Sequence, residues 1–135
     1  MPRVQPLAPC LALFLLAALM VSCGSTPSDY LRSLAVTPIA ATGHAQFTAT
    51  GTRINGSTIS SVPVLWWNTP PWTTNPTPSP AFTIDDNGNT VCISTPAIAG
   101  TFSIWATAPV NPNSPASQMT GKTPQVVAMA QLTCP

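Results

Sequence analysis

Few side chains in this sequence could carry chemistry, and their spacing narrows what that chemistry could be. From Cys23 onward the candidate acids and bases are His44, Asp29, Asp85 and Asp86, and there is no glutamate anywhere in the chain. General acid–base catalysis needs titratable groups that face one another. Asp85 and Asp86 are adjacent at the end of a strand pattern, so their side chains diverge, and His44 beside Gly43 reads as a turn residue. No catalytic residue is assigned, and the chain is expected not to be an enzyme. Asp85, Asn87 and Asn89 alternate as the first oxygen ligands of a calcium loop would, but Thr90 stands where a glycine should follow and no later acidic residue completes the shell. The segment is read as a hairpin turn, with no metal and no cofactor expected. Asn55-Gly56-Ser57 fits a glycosylation acceptor and is read as a turn. The ligand candidates that remain are Trp67, Trp72 and Trp105, whose flat indole faces could stack on sugars or apolar partners, or could cover one another and the proline-rich loop. Trp66 is assigned to the core.

The elements that must position these residues are strands. Residues 82–108, FTIDDNGNTVCISTPAIAGTFSIWATA, form the central unit. Phe82 and Ile84 alternate with Thr83 and Asp85, Asp86-Asn87-Gly88 supplies a turn, and 90–94 returns as a β-rich run. After Pro96 and Gly100, Phe102, Ile104 and Ala106 alternate with Ser103, Trp105 and Thr107, which makes one apolar face at period two. Leu34 and Val36 predict a first strand, Ala45, Phe47 and Ala49 a second, and Val62, Val64 and Trp66 a third with Trp67 pointing the other way. Pro70, Pro71, Pro76, Pro78 and Pro80 exclude a central strand between the third and fourth and predict an extended loop containing Trp72. A second Pro/Asn/Ser loop covers 109–124, and 125–134 closes the chain as a seventh strand. Such spacing predicts an all-β, antiparallel sandwich with Phe47, Trp66, Ile84, Phe102 and Ile104 in one cluster.

Arg3 precedes an almost wholly apolar run over 7–21, which is too short and too early for an ordinary membrane span and reads as a cleaved export signal over 1–22. Its end, Leu19-Met20-Val21-Ser22-Cys23, resembles the lipobox of bacterial lipoproteins, which implies lipidation at Cys23; the plainer alternative is a secretory signal cut near Ser22 or Ser25. Residues 23–32 then read as a lipidated tether and 33–135 as one domain. Arg32, Arg53 and Lys122 balance Asp29, Asp85 and Asp86, too few and too scattered to make a nucleic-acid footprint. Cys92 and Cys134 remain as an even pair, expected to be a disulfide in an oxidising envelope.

The stretches SLAVTP (33–38), AQFTATGT (45–52), VLWW (64–67), FTIDDNG (82–88) and AGTFSIWATA (99–108) resemble, in order and spacing, the group 2 bacterial immunoglobulin-like domain, as carried singly by small lipoproteins. The proline-rich insertion after Trp67 departs from that pattern. The resemblance implies a seven-stranded immunoglobulin-like sandwich, of a kind that serves in adhesins and envelope proteins as stalk or binding module. The expected partners are membrane lipid, through the anchor, and a protein or glycan not identified by the sequence; the expected place is the cell envelope, on the outer membrane in preference to the inner. The functional alternative is a carbohydrate-binding module using the exposed tryptophans. If the strands simply alternate up and down, Cys92 and Cys134 meet at the end far from the tether, on opposite sheets, and the two proline-rich loops lie at opposite ends.

Overall fold

The computed structural model describes residues 27–77 and 79–135. The expected export signal and the lipidation at Cys23 lie outside the described residues. A 3-10 turn, Pro27–Asp29, leads into ten strands: β1 (Leu31–Thr37), β2 (Ala40–Thr42), β3 (Ala45–Gln46), β4 (Thr48–Arg53), β5 (Thr58–Ile59), β6 (Leu65–Trp67), β7 (Phe82–Ile84), β8 (Asn89–Cys92), β9 (Gly100–Pro109) and β10 (Gln125–Cys134). The strands order as β1-β4-β5, β3-β8-β7 and β2-β10-β9-β6. Only Phe47 separates β3 from β4, so the first two groups share one run of chain and form one layer of a sandwich-like, all-β fold, with the third group as the other layer.

Pairing is antiparallel except at one place, a correction to the antiparallel sandwich expected from the sequence: β2 runs parallel to β10, with Gln131 opposite Ala40 and Thr133 opposite Thr42. The reason is local. Pro38 has no N–H to continue the ladder of β1, so the chain leaves that layer there, and the Ile39 carbonyl accepts from the Gln131 N–H of the other layer. The third strand is also shorter than expected. Val62 is buried, yet the ladder with β9 begins only at Leu65, because the Val62 N–H donates instead to the Ala49 carbonyl of β4.

Alternation decides which side chains enter the core. Ile104 and Ala106 of β9 face inward opposite Ala130 and Ala128 of β10, and Trp66 of β6 lies opposite Ala106. The main cluster holds Val36, Phe47, Phe82, Ile104 and Leu132, with Trp66, Ile84 and Phe102 packed against it at partial burial. A smaller cluster of Leu31, Val62 and Ala108 closes the end where β1 begins. Leu31 therefore belongs to β1 and the core although the sequence pattern counts it with the tether.

The Cys92–Cys134 disulfide joins β8 of one layer to the end of β10 in the other, closing a sequence separation of 42 residues with the Cα atoms 5.7 Å apart. The up-and-down expectation for these two cysteines thus holds. It fails for the loops. The Trp72 indole N–H donates to Gln125 Oε1 at 2.7 Å, and the Trp72 ring lies over Gly121, so the two proline-rich loops sit side by side. Instead of remaining at the far end, the first loop doubles back over the outer face of β9 and β10, where it covers indole surface that would otherwise face water.

Candidate functional site: a tryptophan-bearing sheet face

Period two places Leu65 and Trp67 of β6, Trp105 and Thr107 of β9, and Gln125, Val127 and Met129 of β10 on the outer face of one layer. Trp67 lies directly opposite Trp105 in the ladder, and Met129 lies opposite Trp105 on its other side. Trp72 arrives from the loop and packs edge to face on Trp67, with ring centroids 4.9 Å apart and planes inclined by 64°. All three tryptophans singled out in the sequence are therefore gathered on one face.

Their polar ends differ. Trp67 Nε1–H donates to Thr107 Oγ1 at 3.0 Å, and the threonine, lying under the indole, is fully buried. Trp72 Nε1–H is held by Gln125. Trp72 itself has φ 59°, a left-handed conformation that is an outlier for a bulky residue and is held by these two contacts. Beyond the tryptophans the face continues into Val127 and Met129, which are 45% and 47% exposed. No strand residue on this face carries a charge. Thr107 shares the outward alternation of Trp105 that the sequence shows, whereas the meeting of Trp72 with Gln125 and Gly121 could not be read there, because it depends on the path of the loop.

The remaining candidates are apart from this face. Asp85 Oδ1 accepts from the N–H groups of Asn87 and Asn89 at 2.9 and 2.8 Å, and its Oδ2 accepts from Asn89 Nδ2 at 2.8 Å. Asn89, by side chain and then backbone, is the main cause that holds the Asp85 pKa below its ordinary value. With Gly88 N–H donating to the Asp85 carbonyl and Gly88 at φ 79°, this is a hairpin turn ending in a left-handed glycine, in which the carboxylate serves the turn itself. His44 is exposed and lies near Cys92 and Pro135. Among the described residues there is no group of three or more His, Cys, Asp or Glu that could hold a metal ion. Nor is any helix among them long and apolar enough to cross a membrane. The sequence matches no protein-family model and no curated protein.

Proposed function

We propose that the protein is a bacterial envelope lipoprotein, anchored through Cys23 to a membrane, the outer in preference to the inner. It presents an immunoglobulin-like domain in a non-enzymatic, structural or adhesion-type role. The seven-strand reading is supported by taking β1 with β2 and β3 with β4 as two broken strands and setting the two-residue β5 aside. The observation that carries the interaction role is the uncharged face of Trp67, Trp72 and Trp105 continuing into exposed Val127 and Met129. Such a face suits an apolar protein surface, because its water is released on contact and no charge must be desolvated. Sugar stacking on these same tryptophans has less support: Trp67 and Trp72 offer inclined planes, and both of their N–H donors already have partners within the protein.

Two measurements test this reading. Cys23→Ser should release the protein from the membrane fraction, since a lipidated cysteine with two or more acyl chains anchors almost irreversibly. Equal membrane retention of the variant would remove the anchor. For the face, a photocrosslinker at Met129 should trap a discrete envelope partner, whereas one at Val91, equally exposed on the other layer, should not.

A further inference from the structure

A second site lies on the opposite side of β6. The run β3-Phe47-β4 is pinned along one edge at two points: Phe47 N–H donates to the Gly88 carbonyl, and the Ala49 carbonyl accepts from Val62 N–H, both at 2.9 Å. One bond goes to the β7–β8 hairpin and the other to the segment before β6. Where these two segments part, the layer opens into a cleft of about 360 Å³, a volume within the range of small-molecule pockets, which begins at roughly 300 Å³.

Its lining is mixed. Trp66 and the exposed Pro63 supply its apolar surface; Gln46, Ser61, Asp86 and Asn87 stand around it. The hairpin divides its two carboxylates by task. Asp85 makes the turn's hydrogen bonds, while among the described residues Asp86 and the side chains of Asn87, Gln46 and Ser61 make none. Among the described residues the Trp66 indole N–H makes no hydrogen bond either, in contrast to Trp67 and Trp72. Ser61 is held at φ 55°, a left-handed conformation beside the Val62 pin. The cleft thus offers an indole and a proline for an apolar ring face, and carboxylate, amide and hydroxyl groups for a polar ring edge. Its one charge is negative.

We propose that this cleft is a binding site for one ring of an uncharged, hexose-type sugar. The ring's C–H surface would lie against Trp66 and Pro63, and its hydroxyls would donate to Asp86 and exchange hydrogen bonds with Asn87 and Gln46. Sugars combine an apolar face with a hydroxyl edge, which is the pairing this lining supplies. An anionic sugar would meet the Asp86 carboxylate without a compensating cation in the lining. The site does not depend on the anchor or on the tryptophan face.

Titration of the isotopically labelled protein with methyl glucoside, methyl galactoside and methyl mannoside, followed by NMR, tests the site. With at least one of them, the amide signals of Ser61, Asp86 and Asn87 and the Trp66 indole signal should shift and saturate, while the Trp67 and Trp72 indole signals stay in place. Glucuronate should bind more weakly than the preferred neutral sugar. Asp86→Ala and Gln46→Ala change exposed side chains that make no hydrogen bond among the described residues, and each should weaken binding, Asp86→Ala by about tenfold or more. Absence of saturable shifts with all three sugars would overturn the proposal, as would shifts confined to Trp67, Trp72 and Trp105 or affinity unchanged in both variants.

Discussion

Trp66 and Trp67 are neighbours in the chain and have different surroundings. Trp66 faces inward opposite Ala106, borders the cleft and makes no indole hydrogen bond among the described residues; Trp67 faces outward opposite Trp105, is capped by Trp72 and donates to Thr107. An inward position is ordinarily the covered one. Here the outward indole is the more fully engaged, because a loop returned to cover it, while the inward indole borders a gap between two pinned segments. Alternation decides the side of the sheet, and the paths of the connections decide how much of each side stays open.

The comparison can be broken or sharpened by substitution. The largest effect should come from the inner side: Phe47→Ala, at a fully buried position, should cost about 3 to 5 kcal/mol in a denaturant titration. A loss below about 1 kcal/mol would mean that the inner cluster does not organise the fold. Removing the bridge with Cys92→Ala and Cys134→Ala should cost up to about 4 kcal/mol in the chain-entropy picture for a separation of 42 residues. Reducing and non-reducing melts of the unmodified protein should differ in the same direction.

Two glycines allow a matched test. A Cβ at Gly88, where φ is positive, would run into the Phe47 carbonyl and the Trp66 ring, whereas one at Gly121 would make ordinary contact with Trp72. Gly88→Ala should therefore destabilise by about 3 kcal/mol, from the left-handed backbone and the clash together, and Gly121→Ala by less than about 0.5 kcal/mol. Equal costs would show that the turn near Trp66 is no tighter than the loop near Trp72. Trp72→Ala, which removes one ring contact and one hydrogen bond on the outer face, should cost about 1 to 2 kcal/mol. It should also increase the solvent exposure of Trp67, read as a red-shifted emission, and leave sugar binding in the cleft unchanged.

The smallest effect concerns Asp85. Its pKa lies lower in the folded state than in the unfolded chain, so its contribution is present above the unfolded value of about 3.9 and is lost as pH falls through the lower, folded value. As pH is lowered below about 5, melting temperature should fall more steeply in the unmodified protein than in Asp85→Ala. Parallel curves would mean that the turn does not need the carboxylate.

Much of this was legible in the residues. The alternation of 102–107 places Ile104 inside and Trp105 outside, and β10 occupies Gln125–Cys134, the span that the pattern gives, because long apolar/polar alternation has one register that buries its apolar set. The cysteine pair could be read from its even count and strand directions, and Asp85 from turn chemistry that is local to a few residues. Three things required the tertiary structure. The parallel β2 depends on a partner more than ninety residues away, the docking of Trp72 on Gln125 depends on the path of a loop that no period describes, and the cleft exists only where two segments distant in sequence grip one strand edge at different points. Side-chain periodicity is a property of a single strand and is written along it; which strand edges are shared, and which are left open between their partners, is settled only by the closing of the whole chain.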